Sequence, residues 1–370
     1  MNSTEPYIAT YLHAKGRRLG LPIAGNFELT ARCNFACPMC YVHQSAESVE
    51  AQGGELTAAQ WLDIAAAAQK RGMIFALLTG GEPLIRKDFF EIYDGMRKMG
   101  LMISINSNGS LLNGPVLERF LQNPPFRFNI SLYGGSNATY QHMCGIAAYD
   151  RVRENIRALR SAGVSVSLNL SITPHNCGDL AAIYADAVEL GVNVKASSYM
   201  YPPIRLGEDR VGGGNRLSAE DAARYSVQWD ALRFTPEEFA LRSRNMQLLL
   251  EDGCPIETDA GVRCRAGSSS FWVTWQGEML PCGMLTTPVA DLKRQSFGEA
   301  WEYIRSETGK LQGPKACGSC VYREICGVCP AVCYTETGCF DGLPTYICEK
   351  TKAQAAITQA WDAERKKHGD

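Results

Sequence analysis

A chain of 370 residues, 45% hydrophobic and 21% charged, is long enough for one large barrel or two domains whose core needs no covalent staples. A net charge of −2, with Lys and Arg spread along the sequence, argues against nucleic acid or an anionic membrane as partner. No apolar run approaches the roughly 18 residues of a membrane span, and the start Met1-Asn2-Ser3-Thr4-Glu5 lacks a charged-then-apolar signal, so the expectation is a cytoplasmic protein with no membrane contact.

Residues 23–29 read as a first strand. Thr57-Ala58-Ala59-Gln60 is a capping box opening a helix that runs to about Arg71, with Gly72 as its stop. Residues 74–79 (IFALLT) form an unbroken apolar run, the pattern of a strand buried on both faces. A helix over 88–99 ended by Gly100, a strand over 102–106, a helix over 115–121 and a strand over 127–132 follow. Then come a helix over 151–161 stopped by Gly163, a strand over 164–172, a helix over 178–190 stopped by Gly191 and a strand over 192–197. This strand–helix alternation predicts an α/β fold with a parallel sheet, whose ligands gather at the C-terminal strand ends. The Pro- and Gly-rich stretch 199–215 reads as a loop that contacts substrate. Ser218-x2-Asp221 and Thr235-Pro236-Glu237-Glu238 start helices that bridge two domains, and 351–367 reads as a docked helix.

Cysteine is the outlier, with 15 residues. Three lie between Cys33 and Cys40 and ten between Cys254 and Cys348, leaving Cys144 and Cys177 apart. In a large chain without an export signal, clustered cysteines suggest metal ligands rather than disulfides. Directly after the first strand comes Thr30-Ala31-Arg32-Cys33-Asn34-Phe35-Ala36-Cys37-Pro38-Met39-Cys40-Tyr41. Three thiolates on one short loop can hold three irons of a [4Fe–4S] cluster and leave the fourth open to substrate. The same spacing fits a zinc site with His43 as fourth ligand. In the second group, Cys264-x12-Gly277-x4-Cys282 precedes Cys317-x2-Cys320-x5-Cys326-x2-Cys329, with Cys348 further on. Thiolate-only donor sets suit iron–sulfur clusters and zinc ribbons alike.

Cys-x3-Cys-x2-Cys followed by an aromatic resembles the signature of the radical S-adenosylmethionine (SAM) superfamily. Thr79-Gly80-Gly81-Glu82-Pro83, one strand later, resembles that family's GGEP motif, which binds the SAM amino group. Asn106-Ser107-Asn108-Gly109 resembles a stretch near the SAM ribose and carboxylate. Ser131-Leu132-Tyr133-Gly134 resembles the ribose-binding S-[IL]-D-G, with Tyr133 in place of the acid. Gly80, Gly81, Glu82, Pro83, Ser107, Asn108 and Ser131 are thereby implied as SAM contacts. Where relatives carry an arginine for the SAM carboxylate, this chain has Cys144: either Arg151 or Arg153 takes that role, or Cys144 is itself a functional thiol, or it is a small buried hydrophobe. The second group resembles the SPASM domain, which holds two auxiliary [4Fe–4S] clusters. By that analogy Cys254, Cys264, Cys282 and Cys329 hold the first, and Cys317, Cys320, Cys326 and Cys348 the second, with Cys333 and Cys339 left over.

The resemblance implies a partial (β/α)6 TIM-like barrel with a C-terminal cysteine-rich SPASM domain. The expected layout is an extension (1–22), a radical SAM core (23–200), a bridging loop and helices (201–252), the auxiliary-cluster domain (253–350) and a terminal helix (351–370). It implies reductive cleavage of SAM to a 5′-deoxyadenosyl radical that abstracts hydrogen from substrate, with a flavodoxin- or ferredoxin-type reductant. The leading expectation is a maturase that crosslinks, epimerises, oxidises or forms a thioether in a ribosomally made peptide, with Cys144, Cys177 and Cys333 as candidate thiol hydrogen donors. Gly283 stands where sulfatase-maturating relatives carry an aspartate, which disfavours that activity. The alternatives are a dehydrogenase or epimerase of a small molecule such as a sugar or cofactor precursor, and a non-catalytic iron–sulfur electron carrier.

Overall fold

The structure, a computed structural model, describes residues 7–201, 215–251 and 262–368. Cys254 and most of the Pro- and Gly-rich loop lie outside the described residues.

Helix α1 (Tyr7–Leu19) leads into β1 (Ala24–Glu28). A long loop and α2 (Ala46–Ala51) precede α3 (Ala58–Lys70), β2 (Phe75–Thr79), α4 (Phe89–Lys98), β3 (Met102–Ser107) and α5 (Gly114–Gln122). The series continues with β4 (Arg127–Ser131), α6 (Asn137–Cys144), α7 (Tyr149–Ser161), β5 (Val166–Ser171), α8 (Leu180–Glu189) and β6 (Asn193–Ser197). Helices α9 (Ala219–Arg233) and α10 (Pro236–Glu251) follow. After them come β7 (Ser270–Val273), β8 (Glu278–Leu280), β9 (Ala290–Asp291), α11 (Phe297–Gly309), α12 (Pro330–Thr337) and α13 (Thr345–His368).

Strands β1 to β6 are parallel neighbours in sequence order, as the alternating pattern requires. The expected capping box on α3 is formed in both directions between Thr57 and Gln60. The sheet does not stop at β1. Strand β7 adds in parallel to its other edge, and β8 and β9 follow antiparallel, giving nine strands in the order β6-β5-β4-β3-β2-β1-β7-β8-β9. The two cysteine-rich halves therefore share one sheet. Phe27 of β1 is buried edge-on to both Trp61 of α3 and Phe271 of β7, each at 5.9 Å between centroids. Such aromatic contacts add to the area term and fix the two faces relative to each other.

Two contacts place the site. The first joins the loop after β2 to the loop after β1. Gly81 N–H donates to Thr30 O at 2.8 Å and Glu82 N–H to Arg32 O at 2.9 Å. A Cβ on Gly80, whose φ is +141°, would sit 2.3 Å from Thr30 O, and one on Gly81 would sit 2.3 Å from Arg32 O. Backbone packs directly on backbone here, which only glycine permits. The second contact pins the wall formed after β6. Arg216 and Glu336 form a largely buried pair at 2.6 Å. Tyr199 donates its hydroxyl to the same carboxylate at 2.6 Å, and the Arg216 guanidinium lies 3.4 Å above the Tyr346 ring. This knot joins the exit of β6 to the starts of α9 and α13 and to α12.

Two outcomes follow. Gly81→Ala must push the two loops apart, so the variant should fold yet retain well under half of the wild-type iron per chain after anaerobic reconstitution, read by metal analysis. Glu336→Ala leaves a guanidinium buried without its counter-ion, a change worth about 3 kcal/mol. Urea unfolding of the apo-protein should show that loss, whereas Arg157→Ala, in an exposed pair with Glu154 and Glu189, should leave the midpoint unmoved.

Candidate functional site

The C-terminal ends of the parallel strands open into a cavity of about 360 Å³. Cys33, Cys37 and Cys40 of the first loop form one wall. Gly80, Gly81, Ser107, Asn108 and Ser131 come from the ends of β2, β3 and β4. Of the implied SAM contacts, Glu82 and Pro83 are buried just behind this surface.

The three thiols are half-buried. Burial pushes Cys33 up to about 12 and raises Cys40. Cys37 is raised by its contact with the Cys144 thiol and then by burial. Thiols in such surroundings ionise only when a cation compensates, which a metal centre supplies. Backbone donors are already aimed at the sulfurs: Phe35 N–H to Cys33 Sγ at 3.4 Å and His43 N–H to Cys40 Sγ at 3.3 Å. Among the described residues, no three His, Cys, Asp or Glu side chains converge closely enough to hold a single metal ion. His43 is therefore not gathered with the thiols into a zinc-sized site.

Glu82 is fully buried at the rim, where burial lifts its carboxyl to about 7 against the pull of its donors. Those donors are Leu84 N–H at 3.1 Å, Ser107 Oγ at 3.1 Å and Asn108 N–H at 2.7 Å. The glycines of this motif serve the loop contact described above, and Ser107 is committed to Glu82. Tyr133 lines the cavity in place of the acid the family carries, and burial raises its phenol.

Several expectations are not matched by position. None of the candidate hydrogen donors lines the cavity. Cys144 is buried against Cys37 behind the first loop, and its carbonyl accepts from Ala36 N–H at 2.9 Å. Cys177 sits over the Pro174 carbonyl beside Tyr225. Cys333 is fully buried on α12 among the C-terminal thiols. Arg151 is exposed, and Arg153 is bound to Asp186 at 2.7 Å and to Glu189, so neither reaches the cavity. No cationic side chain lines it among the described residues. Polar groups that sequence reasoning passed over take that place: Asn169 and Ser171 at the end of β5 and Ser197 at the end of β6. Their position at strand ends was the available signal.

The C-terminal thiols fall into two neighbourhoods. Cys264, Cys282 and Cys329 act on one another electrostatically, as do Cys317, Cys320, Cys326 and Cys348. Backbone N–H groups of Met284 and Leu285 face Cys282, and those of Ala331 and Val332 face Cys329. Such oriented amides are typical of iron–sulfur surroundings. Arg323 is buried beside Cys317 and Cys333. Cys333 lies between the groups, and Cys339 is exposed. Tyr201 and Met284 bring this half of the protein to the cavity wall, with the Tyr201 phenol beside the Cys329 thiol.

Residues 27–187 match the model of the radical SAM superfamily, and 264–330 match that of an iron–sulfur cluster-binding domain, SPASM. The AdoMet-dependent heme synthase of Methanosarcina barkeri is 28% identical over 331 residues, spanning 84% of this chain and 92% of the relative. The PqqA peptide cyclase of Streptomyces rochei is 26% identical over 331 residues, spanning 87% and 85%. In fold, the chain resembles anSMEcpe with bound AdoMet (TM-score 0.69, 17% identity, 93% and 94% covered). It also resembles Streptococcus suis SuiB bound to its precursor peptide SuiA (TM-score 0.64, 15% identity, 94% and 82% covered). A three-thiol loop and a GGEP turn sharing one cavity, with both family models matched in order, make this chain a member of the radical SAM superfamily with a C-terminal SPASM domain.

Proposed function

We propose that the chain takes hydrogen from a ribosomally made peptide and completes an oxidative modification of it. The observation that carries this reading is the shared cavity, into which the Cys33–Cys37–Cys40 loop and, through Tyr201 and Met284, the second thiol region both look. A [4Fe–4S] cluster held by the first loop would, when reduced, supply the electron that cleaves SAM to a 5′-deoxyadenosyl radical.

The residues present suit that group. Cys33, Cys37 and Cys40 would hold three irons, and the backbone donors to Cys33 and Cys40 would offset thiolate charge. Glu82, held by three donors just behind the cavity surface, would fix the glycine turn that meets the SAM ammonium. Ser131, Asn169, Ser171 and Ser197 offer uncharged donors to ribose and carboxylate. Tyr133 and Met39 help keep the cavity dry. By the family resemblance, Cys264, Cys282 and Cys329 would hold one auxiliary cluster together with Cys254, which lies outside the described residues, and Cys317, Cys320, Cys326 and Cys348 would hold the other. Eight thiolates divided in that way would leave no iron open, which would suit removal of an electron from the substrate rather than its ligation.

Two features support a peptide. Relatives that modify a peptide align along most of both chains. Strand β6 is the sheet edge among the described residues, and its end residue Ser197 lines the cavity, so an extended chain can pair along it. The heme synthase relatives favour a second reading, a small-molecule cofactor precursor.

Iron-loaded protein with dithionite and SAM should release 5′-deoxyadenosine, and replacing Cys33, Cys37 and Cys40 together by alanine should abolish it. Release undiminished by that change overturns the assignment. Co-expression with a small peptide encoded beside the gene should lower the peptide's mass by about two daltons, two hydrogens being lost. An unchanged peptide, together with turnover of an added heme precursor, would establish the second reading instead.

A further inference from the structure

Asn108 stands where the family resemblance implies a SAM contact, yet its side chain is spent elsewhere. Its Oδ1 accepts from Ser110 N–H at 2.9 Å and from Ser110 Oγ at 2.7 Å. A backbone N–H can only donate, so this end of the amide is the oxygen and the other end is the NH2. That NH2 has two hydrogens and two acceptors: Asn34 Oδ1 at 2.9 Å and Cys33 Sγ at 3.8 Å. Asn34 closes the ring by donating its own Nδ2 to Ser110 Oγ at 2.9 Å. Each of the three side chains both donates and accepts within the ring, and Asn108 and Ser110 are buried. Closed networks of this kind hold their members in one arrangement.

The ring spans two loops. Asn34 adjoins Cys33 on the loop after β1, whereas Asn108 and Ser110 follow β3. The Asn108 backbone N–H is also bound to Glu82 at 2.7 Å. One residue thus ties the GGEP carboxylate to the first thiol of the iron-binding loop.

Resting on the reading of Cys33 as a cluster ligand, we propose that Asn108 is a positioning residue that fixes the Cys33 sulfur and donates an N–H···S bond to it, raising the reduction potential of the SAM-binding cluster. A donor to a ligand thiolate withdraws electron density and favours the reduced cluster. The reduced form is the one that must be reached before SAM can be cleaved.

The test is a redox titration of the reduced-cluster EPR signal, alongside calorimetric titration of SAM into the iron-loaded protein. Asn108→Asp keeps the shape but replaces the donor by an acceptor, and Asn108→Ala removes it. Both should move the midpoint to more negative potential while SAM affinity stays within twofold of wild type. An unmoved midpoint, or a SAM affinity that falls tenfold with the midpoint unchanged, overturns the proposal and returns Asn108 to the SAM site. Should neither variant hold iron, Ser110→Ala, which removes only the hydroxyl that pins the amide, is read by the same two measurements. A wild-type protein that forms no iron–sulfur cluster overturns the enzyme reading itself.

Discussion

Strand β1 is hydrogen-bonded along both edges, to β2 on one side and β7 on the other. The loop carrying Cys33, Cys37 and Cys40 is its direct continuation. A strand held on both edges cannot shift register without breaking two ladders, and a one-residue slip would turn every side chain to the wrong face. The thiol loop therefore leaves a fixed base. It is then braced from the side by the glycine turn after β2 and by the amide ring after β3. Three neighbouring strand ends converge on one loop, and the geometry of the thiols depends on all three.

This arrangement also sets the electrostatics. The cavity wall is made of thiols, hydroxyls, amides and aromatic rings, without a cationic side chain among the described residues. Glu82, buried and held by three donors, is the carboxylate just behind it. Burial disfavours every charge there and pushes up the thiols of Cys33 and Cys40 and the carboxyl of Glu82, while Cys37 is raised first by its contact with Cys144 and then by burial. An uncompensated set of anions in that surrounding is unfavourable. A cationic iron–sulfide unit and a sulfonium-bearing ligand with an ammonium group would supply the missing positive charge. The site is built to be completed by its cofactors, a common economy where cofactors carry the difficult chemistry.

Much of this was legible in the sequence because it rests on local signals. Periodicity and glycine stops located the parallel strands and the helices between them to within a few residues. The thiol spacing and the GGEP turn identified the chemistry. What stayed hidden depends on partners far apart in the chain. Strands β7 to β9 are two to four residues long, too short for a period to register, and their place beside β1 is set by pairing across some 245 positions. Helix α6 is eight residues long, and its buried face of Tyr140, Met143 and Cys144 spans a single turn, too little for a period to register. The partners of the Asn108 amide were hidden for a related reason: Asn34 and Cys33 lie on another loop, and only the fold brings them within reach of it. The contact of Cys144, a candidate hydrogen donor in the sequence, with Cys37 likewise joins residues more than a hundred positions apart.

The wall opposite the thiol loop gives the two halves a common purpose. Tyr199 is fixed by the Glu336 carboxylate and by the Arg216–Tyr346 stack, and its ring meets that of Tyr201 edge-on at 4.8 Å. Tyr201 in turn faces the cavity on one side and the Cys329 and Cys282 thiols on the other. A substrate between the two walls would have the radical source on one side and the second thiol region one aromatic ring away on the other. Electron removal would then need no rearrangement of the protein, and the buried Arg216–Glu336 pair earns its desolvation cost by holding that ring in place. None of Cys144, Cys177 and Cys333 lines the cavity, so under the function proposed above a substrate radical would meet the second thiol region across this wall before any of those thiols.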